Sequence, residues 1–154
     1  MAMQTRNAVS SVNVQGHPLH PMLVTLPIGF WVATFLADLA FWWTRSDGWA
    51  TAAMAFLGAA IVAAAAAVTG FIDFMGDARI RALSQAWLHA IGNVIAVLAS
   101  VFNFYWRYHY GVDAVLPAGL ILSLVVMCII FFTGWLGGEL VYRHRVAVHD
   151  EPRV

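Results

Sequence analysis

Four long apolar runs restrict the folds open to this chain more than any other feature of the sequence. They cover residues 22–43, 49–72, 86–106 and 115–136, and only the first is broken by an acidic residue, Asp38. A bilayer has a hydrocarbon core of about 30 Å, which a helix of roughly 20 apolar residues crosses. The sequence therefore predicts an all-α fold, an integral membrane up-down four-helix bundle with both termini on the same side.

Composition supports a chain that lies almost entirely in lipid. Only 10% of the residues are charged, against about 25% in a soluble domain. We predict a single transmembrane domain over residues 1–154, with helices at about 20–44, 49–72, 82–107 and 114–143. The net charge is zero and no basic patch with interleaved aromatics occurs, so nucleic-acid binding has no support.

The arginines predict the orientation. Four crossings leave both termini on one side, and cytoplasmic loops carry an excess of Lys and Arg. On the terminal side lie Arg6, Arg79, Arg81, Arg143, Arg145 and Arg153, and on the other side lie Arg45 and Arg107. This imbalance predicts cytoplasmic termini.

Polar residues form a stripe along the third helix. The stripe consists of Gln85, His89, Asn93, Ser100, Asn103 and Arg107. At 100° per residue these positions fall within a sector of about 80°. Because polar groups in hydrocarbon are costly, the stripe is expected to face the bundle interior.

The first helix carries matching groups. His20 and Asp38 are separated by 18 residues, as are His89 and Arg107. The first and third helices run in the same direction, so His20 is predicted to meet His89 at one end and Asp38 to meet Arg107 about 27 Å away. An isolated charge at that depth needs a partner, and we predict a structural ion pair between Asp38 and Arg107.

Histidines and carboxylates from all four helices are predicted to converge at the cytoplasmic end. The group comprises His17, His20, His89, His144, His149, Asp73 and Glu139. Four-helix bundles build metal and cofactor sites from such inward groups. One hypothesis is haem b with axial ligands His20 and His89, the latter ring oriented by Asn93.

Two other interpretations of this group stay open. A non-haem metal ion could be bound by ligands drawn from His17, His20, His89, His144, Asp73 and Glu139. Alternatively the group is a hydrogen-bonded polar cap that ties helix ends together and binds nothing.

Small residues suggest close helix packing and a short internal repeat. Thr51, Ala55, Ala59, Ala63 and Ala67 recur every four residues along the second helix, a spacing typical of helix–helix contacts in membranes. The segment Thr69-Gly-Phe-Ile at the end of the second helix has a counterpart, Thr133-Gly-Trp-Leu, at the end of the fourth. The two halves of the chain are expected to be related by an axis along the membrane normal.

Several motifs together resemble one bacterial family of membrane proteins, domain of unknown function 2231. The opening motif is His17-Pro-Leu-His-Pro-Met-Leu-Val-Thr-Leu-Pro-Ile-Gly-Phe-Trp31. Later motifs are Gly70-Phe-Ile-Asp73, His89 with Asn93, and Gly134-Trp-Leu-Gly-Gly-Glu-Leu140. The resemblance implies a four-helix protein of unassigned activity in the bacterial inner membrane. Some relatives are joined to Rieske iron–sulfur or c-type cytochrome domains, which implies redox work.

Two functions from different classes follow. The first is a haem- or metal-binding membrane protein of electron transfer, exchanging electrons with a quinone or a redox protein at the cytoplasmic side. The second is a cofactor-free scaffold or accessory subunit of an oligomer or larger membrane complex. No nucleophile elbow, phosphate loop or dinucleotide fingerprint supports a classical enzyme.

Overall fold

The computed structural model of the protein describes residue 10 and residues 12–148, and the great majority of these are helical. The helices are α1 (Leu19–Leu23), α2 (Thr25–Thr44), α3 (Asp47–Ala63), α4 (Ala67–Gly76), α5 (Ala78–Arg81), α6 (Ser84–Tyr110) and α7 (Leu120–Tyr142). Two residues of β1 (Asn13–Val14) pair antiparallel with two of β2 (His17–Pro18) before α1.

Three helical segments are long and apolar enough to cross a membrane. They are Leu19–Thr44, Asp47–Gly76 and Ser84–Tyr142. The last is 59 residues long, about 90 Å if it were straight, and it folds back on itself. The turn begins at Gly111, whose φ of +64° is a left-handed conformation that favours glycine.

Contacts between α6 and α7 show the reversal directly. His89, near the start of α6, contacts Thr133 near the end of α7. Arg107, near the end of α6, contacts Ser123 near the start of α7. The two helices therefore lie antiparallel along their length.

Two of the apolar segments are broken where a continuous helix was predicted. Between α1 and α2 the break falls at Val24, three residues before Pro27, which has no N–H to donate to the preceding turn. Between α3 and α4 the alanines Ala64–Ala66 form one turn of 3-10 helix. A 3-10 turn changes which carbonyls are bonded within the helix, and the carbonyl of Ala66 is used by a neighbouring side chain described below.

The core lies at the centre of the bundle, where α2, α3, α6 and α7 meet. Its buried residues are Trp31, Leu57, Ala60, Ala96, Val126 and Ile130. The indole Nε1 of Trp31 donates a 2.8 Å hydrogen bond to Ser100 Oγ. Among the described residues around Trp31, Leu57 and Ser100, the interior has no room for a water molecule. Close packing therefore separates the two ends of the bundle.

The alanine ridge lies largely outside the core of this bundle. The buried residues of α3 are Ala50, Ala53, Leu57 and Ala60. The ridge residues Thr51, Ala55 and Ala67 are exposed. Because α3 is apolar on every side, its sequence does not distinguish the face that meets the core from the face that meets lipid.

Candidate functional site

Helices α1–α2 and α6 face each other across the bundle in a fixed register. Three pairs of side chains meet, and the partners in each are 69 residues apart in the chain. The pairs are His20 with His89, Trp31 with Ser100, and Asp38 with Arg107. Trp31 and Ser100 lie within the closed core, so a polar cluster remains on either side of it: the histidine pair and the buried ion pair.

The ion pair of Asp38 and Arg107 is buried. Nη1 of Arg107 donates to Asp38 Oδ1 at 2.7 Å, and Nη2 donates to Oδ2 at 2.7 Å. The two side chains are 0% and 2% exposed respectively. This two-point geometry matches the planar guanidinium to the carboxylate.

Side chains from α6 and α7 complete the network. Arg107 Nε donates to Asn103 Oδ1 at 2.9 Å. The hydroxyl of Ser123 donates to Asp38 Oδ2 at 2.7 Å and accepts from Arg107 Nη2 at 3.1 Å. Each carboxylate oxygen thus has at least one donor, which offsets the large cost of taking these charges out of water.

Gly119 makes the approach of Arg107 possible. A Cβ atom at this position would lie 2.8 Å from the carbonyl oxygen of Ala114 and 3.0 Å from Arg107 Nη2. The carbonyl of Gly119 also accepts a hydrogen bond from Asn103 Nδ2 at 3.2 Å. The turn between α6 and α7 is therefore shaped around the guanidinium.

At the other end, His20 and His89 form the histidine pair. Their ring centroids are 6.3 Å apart and the ring planes are inclined at 85°. A metal bonded to both rings at about 2.0–2.1 Å per nitrogen would hold the centroids roughly 6 Å apart. The observed centroid separation is close to this value.

Each histidine is oriented by a backbone carbonyl on the helix beside it. Nδ1 of His89 lies 2.8 Å from the carbonyl oxygen of Thr133, and Nδ1 of His20 lies 3.3 Å from that of Ala66. A carbonyl oxygen only accepts, so Nδ1 carries the proton in both rings. In a neutral imidazole the Nε2 atom is then the one with the free lone pair. This Nδ1–H to carbonyl contact is the usual support of a metal-ligating histidine.

A glycine lies beside each ring, one helical turn after the carbonyl. A Cβ at Gly70 would lie 2.6 Å from Nδ1 of His20, and a Cβ at Gly137 would lie 3.2 Å from Cε1 of His89. Ala66 precedes Gly70 by four residues, as Thr133 precedes Gly137. The two halves of the chain thus repeat one arrangement, in which Gly137 rather than the predicted Gly134 corresponds to Gly70.

Asn93 acts on the backbone rather than on the imidazole. Its Nδ2 donates to the carbonyl of His89 at 2.7 Å. The hydroxyl of Thr133 donates to Asn93 Oδ1 at 3.4 Å. The predicted role of orienting the His89 ring is carried instead by the carbonyl of Thr133.

The predicted carboxylates make contacts away from the histidine pair. Asp73 accepts hydrogen bonds from Ser10 Oγ at 2.7 Å and from the backbone N–H of Val12 at 3.1 Å. It therefore ties the N-terminal segment to α4. Glu139 forms an ion pair with Arg143, one turn further along the chain, at 3.0 Å.

Two other predicted histidines, His17 and His144, are exposed. Nδ1 of His17 donates to the carbonyl of Gln15 at 3.2 Å, and His144 is exposed beyond the end of α7. His149 lies outside the described residues. Within residues 12–148, no three or more His, Cys, Asp or Glu side chains come together as a group able to hold a metal ion. The structure thus brings together two members of the predicted set, His20 and His89.

The sequence matches one family model, described as "Predicted membrane protein (DUF2231)", over residues 16–150. The chain belongs to the DUF2231 family. The match confirms the resemblance and the membrane character of this DUF2231 protein. Neither a curated protein nor a solved structure matches it significantly.

Several residues of both polar clusters in this DUF2231 protein were not predicted from the sequence. Ser123 and Thr133 lie in a run without charges, and their polarity there was the available signal. Ala66 contributes only its backbone carbonyl, for which an alanine-rich sequence gives no signal.

Proposed function

We propose that this protein is a four-helix membrane bundle that binds one haem b between His20 and His89 and takes part in membrane electron transfer. The observation that carries the proposal is the histidine pair itself. Two rings from different helices lie at the spacing of a shared metal atom, and each is held in the tautomer that leaves Nε2 to bind it.

The number of protein ligands favours haem over a bare metal ion. Structural zinc sites use four protein ligands and catalytic ones usually three. A porphyrin would supply four nitrogens to its iron, and His20 and His89 would supply the two further ligands of a six-coordinate iron. The described residues offer two adjacent histidines and no group of three metal-binding side chains.

The protein's own contribution is to hold and shield the site. The carbonyls of Ala66 and Thr133 fix the two rings, and the glycines beside them give the rings room. Haem b, when bound, supplies reversible one-electron chemistry. The packed core below the pair leaves no room for water between the two polar clusters.

The charges support an inner-membrane bundle with cytoplasmic termini. Because the longest apolar segment turns back between α6 and α7, it would cross the membrane twice. The other two segments would cross once each, which gives four crossings. Arg79, Arg81, Arg143 and Arg145 lie at the histidine end, and the guanidinium of Arg107 lies in the interior. Of the arginines that the structure describes, only Arg45 then lies in a loop at the opposite end. This excess of arginines at the histidine end agrees with the positive-inside rule. Arg6 and Arg153 lie outside the described residues.

The test is an absorption spectrum of the protein purified in mild detergent from haem-replete cells. We expect a Soret band, with sharp α and β bands after reduction by dithionite, and about one iron per chain by metal analysis on the same sample. His20→Ala and His89→Ala should each lose this spectrum. Full haem occupancy in both variants, or stoichiometric zinc without a Soret band, would contradict the proposal.

A glycine pair supplies a matched test that keeps both imidazoles. Gly70→Ala places a Cβ where the His20 ring lies, whereas Gly134→Ala meets no heavy atom within 4 Å. Gly70→Ala should lose haem or change its spectrum, and Gly134→Ala should leave both unchanged. Equal effects of the two variants would show that the spacing of the rings is not what holds the cofactor.

A second candidate function is a scaffold or accessory subunit without a cofactor. The exposed small residues of α3 support it, because such a face suits contact with a partner. It predicts no Soret band and stable copurification with a larger membrane complex. Protein purified alone with one haem per chain would argue against it.

A further inference from the structure

A groove lies between α3 and α6 at the end of the bundle that holds the Asp38–Arg107 ion pair. It has a volume of about 560 Å³. Small residues of α3, including Ala55, Gly58 and Ala59, form one wall, and Phe104 and Arg107 of α6 form the other. The exposed ridge of α3 is therefore the wall of an open groove.

The groove runs along the helices from the membrane interface toward the core. On α3 it extends from Ala50 to Ala59, about 14 Å at 1.5 Å per residue. The exposed aromatic rings of Trp49 and Tyr110 mark the interface beside its outer end. A hydrocarbon chain that enters from the interface would lie parallel to the groove.

Phe104 narrows the groove where its ring faces Gly58. A Cβ at Gly58 would lie 3.1 Å from that ring, so the glycine lets α6 approach α3 closely at this point. A partner helix could place only the side chains of one face in the groove, whereas an acyl chain can lie along its floor.

Arg107 lines the groove, and one of its N–H donors is unused within the described part of the chain. Of its five N–H groups, Nε is bonded to Asn103, one on Nη1 to Asp38, and two on Nη2 to Asp38 and Ser123. The second N–H of Nη1 has no acceptor among the described residues. The ion pair is neutral as a whole, so an uncharged oxygen suits this donor better than a second carboxylate or a phosphate.

We propose that the groove holds one acyl chain of a bilayer lipid, with its ester carbonyl accepting a hydrogen bond from Nη1 of Arg107. This inference rests on the proposed membrane placement and is independent of haem. The chain is as apolar in the bilayer as in the groove, so the walls hold it by van der Waals packing rather than by the hydrophobic effect. The carbonyl satisfies the donor that the protein leaves unpaired.

The test compares Ala55→Leu with Ala67→Leu. Both change an exposed alanine of the same ridge to leucine, but only Ala55 lines the groove. After exhaustive washing in detergent, native mass spectrometry should find one lipid per chain in the wild type and in Ala67→Leu, and at least tenfold less in Ala55→Leu. The haem spectrum read on the same samples should be the same in all three, which separates this result from a failure of the proposed function.

A competition experiment tests the carbonyl contact without altering Arg107. Delipidated protein is mixed with phosphatidylcholine that has ester-linked chains and with its ether-linked analogue, which lacks the carbonyl. The ester lipid should be retained about tenfold better, the value of one charge-assisted hydrogen bond. Equal retention of the two lipids, a bound quinone in place of lipid, a dimer broken by Ala55→Leu, or no bound lipid in any variant would each overturn the proposal.

Discussion

The two polar clusters lie on the same helices, yet they differ in how completely their groups are paired. Around Asp38 and Arg107 each carboxylate oxygen and four of the five guanidinium N–H groups have partners within the protein. At the histidine pair each ring has one bonded nitrogen, and both Nε2 atoms lack a protein hydrogen bond among the described residues. The half-buried histidine pair thus keeps two free lone pairs, as the proposed cofactor site requires, whereas the groups of the ion pair are almost all used within the protein.

The largest effect should come from breaking the ion pair. Arg107→Ala leaves the carboxylate of Asp38 buried and uncompensated, and we expect a loss of about 3–5 kcal/mol in the free energy of unfolding. Denaturant unfolding in detergent measures it. The double variant Asp38→Leu with Arg107→Met removes both charges and should recover most of the loss. A cost below about 1 kcal/mol for Arg107→Ala would remove the distinction between the two clusters.

A glycine that shapes the ion-pair cluster should have the next largest effect. Gly119→Ala brings a Cβ against the carbonyl of Ala114 and the guanidinium of Arg107, and overpacking of this kind costs about 1–3 kcal/mol. Gly29→Ala on α2 is the control, since its Cβ meets no heavy atom within 4 Å. Equal unfolding free energies for the two variants would show that the turn can adjust freely.

Removing either histidine should change the free energy of unfolding little but abolish haem binding. In haem-depleted protein, His89→Ala loses one hydrogen bond, to Thr133, and we expect a change of about 0.5–1.5 kcal/mol in unfolding free energy. His20→Ala should cost less, because its bond to Ala66 is longer. A loss as large as that of Arg107→Ala would mean that the histidine pair is also a structural element.

The smallest expected effect concerns the loop beside the histidine end. Asp77 caps α5 through the N–H of Arg79, and the hydrogen bond from the Arg79 side chain lowers the pKa of Asp77 below its ordinary value. A carboxyl whose pKa is lower in the folded state than in the unfolded state stabilises the fold when it is ionised. This contribution is therefore complete above the ordinary pKa, about 3.9, and is lost as the pH falls through the lowered value.

We expect this loss to be at most about 0.5 kcal/mol, because the pair is close to the surface. The measurement is the unfolding free energy of the wild type minus that of Asp77→Asn, between about pH 6 and pH 3. The asparagine keeps the cap but does not titrate. A difference that grows as the pH falls would have the wrong sign and would contradict the assignment.

The sequence by itself determined the membrane class, the family and the register of the two helices that carry polar groups. A helix period of 3.6 residues collects His89, Asn103 and Arg107 on one face, and only the bundle interior tolerates such a face in lipid. The equal spacing of 18 residues in α1–α2 and α6 then pointed to His20 with His89 and to Asp38 with Arg107, and the structure places both pairs in contact.

Only the tertiary structure decided which face of α3 turns inward. The helix α3 is apolar on every side and α7 nearly so, and a core of side chains and a bilayer of acyl chains are equally apolar surroundings. Hydrophobicity therefore could not show that Ala55 faces outward. On α7 the polarity of Ser123 and Thr133 was the available signal of the inward face. Hydrophobicity also could not show that the carbonyls of Ala66 and Thr133 orient the histidines, because a backbone group becomes a partner only when helix packing brings a side chain to it.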